Sequence, residues 1–324
     1  VNIALLDRLK EAEGAFVAAC ELGEDPVALS RDLDELEAFG FGIERHPYLG
    51  AAYRGPASRL CPDQIEQGLG TLRIGRRIAV WDRVTSTSDL AARASDSRAN
   101  DGLVILAESQ TSGRGRLGRA WVAPSGSSLL MSCLIFPPPA LGAPGWLTAL
   151  GAVAVAEVIE AATGSPARIK WPNDVRVGGR KVCGVLVERA EGVVIGIGLN
   201  VNTRPEDFPD SIRSTATSLR ALDGVVHDRS ELARALIRRL DALYADGREH
   251  GPESLDAAWS SRLEALGQTV RVVTSRGERV GRLRRADLRS GLVIEDASGT
   301  VETIAAGEVQ ACSPLSFDQS PNTA

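Results

Sequence analysis

The chain has 324 residues, is 44% hydrophobic and carries a net charge of −5. That length suffices for two or three domains with a sizeable core, and the acidic balance argues against a generic nucleic-acid binder. No uninterrupted run of 18 apolar residues occurs, and the opening VNIALLDRLKEAEGAF carries acids early with no signal-peptide core, so the expectation is a cytoplasmic protein without a membrane partner. Five scattered cysteines without a C-x-x-C argue against a disulfide framework or zinc site, and three histidines without H-E-x-x-H argue against a metalloprotease or His-triad enzyme. Lysine occurs only at 10, 170 and 181, so 34 of the 37 basic residues are arginine. Two of the three lysines lie in IKWPNDVRVGGRKVCGVLVE, either by chance or because a compact ammonium fits there and a planar guanidinium does not.

In chain order, IALLDRLKEAEG is an amphipathic helix. ALSRDLDELEAFGFGIER predicts another, with Ser30 as N-cap and Gly40 as its stop, and IERHPYLGAAYRG predicts a hairpin. Helices followed by a hairpin over residues 1–56 is the order of a winged helix-turn-helix, with 57–75 as connector. From 76 the texture changes: RRIAVWDRV is a strand, STSDLAARASD a short helix, LVILAESQ and SSLLMSCLIF strands, and WLTALGAVAVAEVIEAATG a long apolar helix ended by Gly164. ARIKW, DVRV, KVCGVLVER and GVVIGIGLNVN are strands with turns at 178–179 and 190–192. SELARALIRRLDALYADG and PESLDAAWSSRLEAL predict helices, closing a unit over 76–265. Residues 266–315 show short strands between glycine turns, the pattern of a small β-barrel, and 316–324 read as a frayed tail. Consecutive hairpins with helices grouped apart predict an α+β fold with a mixed sheet.

SGRGRLGRAW, residues 112–121, contains G-x-G-x-x-G. A dinucleotide fingerprint must open a helix, whereas RAWVAPSGSS is a poor helix former and no βαβ unit surrounds it. The remaining readings are a plain surface turn and an anion clamp, in which glycines admit a ligand to the backbone and Arg114 and Arg116 meet phosphate or carboxylate. So cationic a loop is expected to repel itself and to order only on an anionic ligand.

SGRGRLGRAW, KWPNDV, GRKVCGVLVE and GIGLNVN, in that order and spacing, resemble the biotin–protein ligases, and the STS at 86–88 stands where that family begins its catalytic domain with Ser-Thr-Asn. The resemblance covers nearly the whole chain. It implies a winged-helix front, a class II synthetase-like catalytic centre and an SH3-like β-barrel, as in the bifunctional group. It implies that the biotin carboxylate attacks the α-phosphate of ATP, with Mg²⁺, to give biotinyl-AMP, and that a lysine of a biotin carboxyl carrier protein then takes the acyl group. On that resemblance Lys181 bridges carboxylate and α-phosphate, Asp174 orients Lys181, and Arg114 and Arg116 complete the catalytic set. Ser86, Thr87, Ser88, Gln110 and Gly115 contact biotin with Arg114, Arg116 and Lys181. Gly113, Arg119, Trp121, Asn173 and Asn200 lie near the nucleotide. The residues themselves leave alternatives open: Lys181 as a solvated edge-strand lysine, Asp174 and the asparagines as turn residues, Ser86 as an N-cap and Trp121 as core. Ser88 departs from the family's Asn. Homodimerisation through the central sheet, with the strand pair near 176–197 as edge, also follows from the resemblance.

The fold shared with lipoate ligases keeps a lipoate or other acyl ligase open, and the front end keeps a biotin-responsive repressor open. Residues 1–56 carry 5 basic and 11 acidic side chains, and SRDLDELEAFG presents four acids against Arg31. Phosphate neutralisation supplies most DNA affinity, so this surface disfavours DNA.

Overall fold

The computed structural model describes residues 1–23, 25–287 and 290–315; the expected frayed tail at 316–324 lies outside the described residues. At the N-terminus, helices α1 (Ile3–Glu11), α2 (Ala19–Leu22) and α3 (Pro26–Phe39) precede the antiparallel hairpin β1 (Gly42–His46) and β2 (Gly50–Gly55). Leu5, Leu6, Leu9, Leu33, Leu36 and Phe41 fill the core of this unit. Ser30 does not cap α3. Asp25 does, accepting a hydrogen bond from the Val27 N–H, with Pro26 in the first turn, and that pair sets the start a full turn earlier. Gly40 ends the helix at φ +112°, as expected.

After α4 (Pro62–Glu66), the chain builds a seven-stranded mixed sheet from β3 (Arg77–Val84), β4 (Leu103–Gln110), β5 (Ser128–Ile135), β6 (Arg168–Lys170), β7 (Asp174–Val177), β8 (Arg180–Arg189) and β9 (Val193–Asn200). The order is β3-β4-β5-β9-β8-β7-β6, with β3 parallel to β4 and every other pair antiparallel. Its helices are α5 (Thr87–Arg93), α6 (Pro144–Thr163), the short α7 (Asp210–Arg213) and α8 (Leu219–Asp223), α9 (Arg229–His250) and α10 (Asp256–Ser260). Alternation along the strands divides the sheet into two faces. Leu129, Met131 and Cys133 of β5 and Ile195, Ile197 and Leu199 of β9 join α6 and α9 in the large core. Leu134 and Val194 face the other way and pack with Ala91 of α5. On that second face α5 packs against β4, β5 and β9, beside the strand ends that carry the candidate site.

α6 is long and apolar enough to cross a membrane by length and composition, but 67% of its apolar stretch is buried inside the fold. Two expectations about this region change. The helix expected over 252–266 breaks into a 3-10 turn and α10, because residues 262–264 leave the helix to pair with Ile169: its N–H donates to the Arg262 carbonyl at 2.7 Å, and Glu264 N–H returns to Ile169 at 3.0 Å. This satisfies backbone on β6 that an edge would leave exposed. The strand pair near 176–197 is also not a sheet edge as a whole. β9 lies between β5 and β8, β7 lies between β6 and β8, and residues 185–189 at the end of β8 pair with β9 alone among the strands.

The last sheet has β10 (Thr269–Thr274), β11 (Gly277–Asp287), β12 (Gly291–Glu295), β13 (Val301–Ile304) and β14 (Val309–Pro314), all antiparallel, in the order β13-β12-β11-β10-β14.

Candidate active site

Three glycines floor the partly covered face. Register places Gly198 of β9 opposite Gly184 of β8 and Leu130 of β5, and Gly196 opposite Ser132 and Leu186. A side chain at Gly198 would put its Cβ 2.5 Å from Trp121, one at Gly184 would lie 3.2 Å from the same ring, and one at Gly196 would lie 2.9 Å from Ser88 Oγ. The glycines of GIGLN are therefore small because an indole and a hydroxyl lie directly on the sheet.

Above this floor is a narrow cavity of about 50 Å³ that opens to solvent. Its lining includes Ser86, Thr87, Ser88, Gln110, Arg114, Gly115, Arg116, Trp121, Asn173 and Lys181, which come from four separate stretches of sequence. Ser86 caps α5, and Thr87 and Ser88 form its first turn. The Thr87 N–H and hydroxyl both approach Gln110 Oε1, at 2.8 and 3.1 Å. Ser132, which sequence reasoning did not single out, links the group: its hydroxyl is 2.8 Å from that of Thr87 and 3.1 Å from that of Ser88. The result is a row of buried hydroxyls joined to one half-buried amide beside the cavity.

Lys181 reaches this face through a β-bulge. The β7–β8 register shifts between Val175 and Arg176, and both Val182 and Cys183 turn into the helix-side core. Strict alternation would send Lys181 to the same side as Cys183; the extra residue turns it to the side of Gly184. Its Nζ is 2.7 Å from Asp174 Oδ1 and 5.6 Å from the centre of the Trp121 ring. Its main chain is held by the 215–217 segment, with Lys181 N–H to the Thr215 carbonyl at 2.7 Å and Thr217 N–H to the Lys181 carbonyl at 2.8 Å. Cys183, alongside, is fully buried, and burial pushes its thiol up.

The loop between β4 and β5 closes over the cavity. Gly115 N–H donates to the Arg119 carbonyl at 2.7 Å, and Trp121 N–H donates to the Gly113 carbonyl at 2.9 Å, which folds 113–121 into a narrow ribbon. Arg116 reaches Asn173 Oδ1 at 3.2 Å, and burial lowers its pKa against the opposing effect of Asp174. Arg114 forms a two-bond ion pair with Glu188, at 3.2 and 3.1 Å, and a further ion pair with Asp89. The self-repulsion expected of this loop is therefore offset by carboxylates far away in sequence.

Not every expected residue meets the cavity. Arg119 is exposed and lines, with Gly113, a second, outer groove along the loop. Asn200 is buried and donates to the Thr217 carbonyl at 3.0 Å, which anchors the segment that holds Lys181. Asn173 does both jobs, donating to the Val185 carbonyl at 2.9 Å while its oxygen faces Arg116. The indole N–H of Trp121 is buried with no partner among the described residues.

Residues 80–202 match the model of the biotin/lipoate A/B protein ligase family. The chain is 31% identical over 305 residues to the bifunctional ligase/repressor BirA of Bacillus subtilis (strain 168), covering 91% of this chain and 94% of that one. It is 35% identical over 264 residues to a biotin–acetyl-CoA-carboxylase ligase of Mycobacterium tuberculosis, covering 78% and 97%. Among solved structures, the biotin protein ligase from Aquifex aeolicus in complex with biotin and ATP superposes with a TM-score of 0.66 at 29% identity, over 74% of this chain and all of that one. The chain belongs to the biotin/lipoate A/B protein ligase family.

Proposed function

We infer that this protein is an ATP-dependent biotin–protein ligase, which forms biotinyl-AMP and transfers biotin to a lysine of a biotin carboxyl carrier protein. The observation that carries this reading is the convergence of four sequence motifs on one cavity, lined by a row of hydroxyls and by two cations, Arg116 and Lys181. A ureido ring needs donors and acceptors inside an apolar wall, because an unpaired buried polar group costs about 1–3 kcal/mol. Ser86, Thr87, Ser88 and Gln110 are the proposed partners of that ring. Ser88 is shorter than the family's Asn, and its hydroxyl lies 3.1 Å from that of Ser132.

At the mouth, a carboxylate and a triphosphate must approach against their mutual repulsion. Fixed positive charge offsets that cost, and catalysis of this kind is mostly positioning and electrostatics. Lys181 is proposed to sit between the two anions, held by Asp174, with Arg116 as second cation. Arg114 and Gly115 close over the ligand, and water exclusion protects the adenylate from hydrolysis. Trp121 supplies a flat surface for the nucleotide, with Asn173 on the same cavity wall, while Gly113 and Arg119 are left to the outer groove and Asn200 supports the Lys181 platform from behind. Mg²⁺ enters with ATP; no group of three metal-binding side chains occurs among the described residues.

We also propose the division into a winged-helix-like unit (1–56), a connector (57–75), the catalytic unit (76–265) and an SH3-like barrel (266–315), in a cytoplasmic protein able to form a homodimer. DNA binding by the first unit is disfavoured. The acids of α3 occupy Arg45 of the hairpin, which pairs with Asp34 and Glu37, and Arg54 is taken by Glu44. A gel shift at low salt with biotinyl-AMP present tests this, and tight operator-like binding would reverse it. The ligase reading is tested by biotin-dependent pyrophosphate exchange, by competition with lipoate and by transfer to a carrier domain. Exchange that responds to lipoate and not to biotin would assign a different acyl ligase.

A further inference from the structure

Arg114 and Arg116 stand two residues apart on the closing loop, yet their surroundings differ in charge. Arg116 has no carboxylate in ion-pair range among the described residues; its contact is the neutral oxygen of Asn173. Arg114 has two, one on α5 and one on β8. Nε and Nη2 meet both oxygens of Glu188, the penultimate residue of β8, and Nη1 meets Asp89, in the first turn of α5. One guanidinium between two carboxylates leaves a local charge of −1, which opposes rather than invites a carboxylate or phosphate. The three side chains are 39%, 30% and 34% exposed, so the group lies at the rim and not in the interior.

Resting on the ligase reading above, we propose that Arg114 is the bar of a latch and that Asp89 and Glu188 are positioning residues which hold the loop across the cavity mouth. Division of labour follows. Arg116 and Lys181 face the reacting anions, whereas all three nitrogens of the Arg114 guanidinium are engaged by the protein's own carboxylates. Charge-assisted and two-pronged contacts are the stronger hydrogen bonds, and their planar fork fixes orientation as well as distance. Beyond the latch the loop turns back on itself: Leu117, at φ +57°, is well exposed, and Gly118 has φ +71°. A loop clamped at 114 keeps its root in place while its exposed tip faces solvent. Asp89 and Glu188 touch neither anion in this scheme. They act through Arg114, on how long the activated acyl group stays enclosed.

The test uses the full chain with Asp89→Asn and Glu188→Gln, singly and together. Trypsin cuts after Arg114, Arg116 and Arg119, and cleavage tracks the population of the open loop. Cleavage within 112–120 without substrates is expected to rise about tenfold in the double variant. A chase experiment on bound biotinyl-AMP is expected to show release faster by about tenfold, while pyrophosphate exchange at saturating substrates stays within about twofold. Glu188→Asp, which keeps the charge, is expected to recover part of the retention. A role confined to stability would lower exchange and the melting temperature together and leave retention per folded molecule unchanged, which overturns the latch. Cleavage and release both equal to those of the unaltered protein overturn it as well. If the unaltered protein makes no adenylate, the ligase reading fails, and the tryptic comparison still decides whether Asp89 and Glu188 hold the loop. If the double variant does not fold, Asp89→Asn alone is read in the same way.

Discussion

Replacing Lys181 by arginine separates the need for a compact charge from the need for any charge. The ammonium sits 2.7 Å from Asp174 Oδ1, against the Trp121 face, and a Cβ on Gly184 would be only 3.2 Å from Nζ. A guanidinium is broader and extends further, so it must leave Asp174 or push the indole off its glycine floor. The charge remains, but not where it has to act. Loss of one preorganised group that stabilises transition-state charge costs about 10²- to 10³-fold in kcat, or about 2.7–4 kcal/mol. The same substitution should barely touch stability. The Lys181–Asp174 pair is roughly a third exposed, and pairs of that kind contribute about 0–1 kcal/mol to folding, which moves the melting temperature by at most a few degrees, roughly 2–4 °C per kcal/mol. The assay is biotin-dependent pyrophosphate exchange at saturating biotin and ATP, with Lys181→Met as the charge-free control and a thermal melt of each variant. Exchange by Lys181→Arg within about threefold of the original would refute the argument. So would a loss matched by a melting temperature lowered by some tens of degrees, because the effect would then lie in folding.

Gly198→Ala places a methyl group 2.5 Å from Trp121, about 1 Å inside contact distance, so the indole must shift; overpacking of this size costs about 1–3 kcal/mol, expected as a raised KM for ATP and quenched or shifted tryptophan fluorescence. A variant with unchanged nucleotide KM would remove Trp121 from the site. Ser132→Ala strips a partner from two buried hydroxyls, and the expected result is a KM for biotin raised about tenfold with kcat retained, measured by exchange kinetics; a fall in kcat alone would contradict it. Burial works to raise the pKa of Asp89, but hydrogen bonds from Arg114 and Thr85 outweigh it and the net shift is downward. A group with a depressed native pKa stabilises above its unfolded value, about 3.9 for Asp, and loses that contribution as pH falls through the native one. Hydrogen exchange at residues 113–116, corrected for intrinsic rate, should therefore be level from pH 8 to 5 and loosen only in stronger acid; loosening near neutrality would implicate another group.

What could be read in advance, and what could not, divides along chain distance. Helix ends and hairpins were legible because their causes are local: Gly40 and Gly164 adopt positive φ at helix stops, and Gly178–Gly179 turn β7 into β8. Ser30 misled because a hydroxyl in a helical stretch looks like a cap until Asp25–Pro26 outcompetes it. The motif residues Ser86, Thr87, Ser88, Gln110, Arg116 and Lys181 line one cavity, but the reason they meet is not legible in the sequence. Period-two reading sends Lys181 toward the helices with Cys183, and only the bulge turns it into the cavity. Asp89 and Glu188 escaped for a different reason. A cation in sequence looks free, since its counter-ions can sit 25 and 74 residues away, on another helix and another strand. The signal was present in part: Asp89 directly follows the STS triplet, Glu188 ends GRKVCGVLVE, and both are acids inside motifs read only for their hydroxyls and cations. An arginine-rich glycine loop should therefore be weighed together with the acids of every other motif it must fold against. Where those acids equal or exceed its cations, as at Arg114, the arginine holds the protein shut; where they do not, as at Arg116, it is available to the substrate.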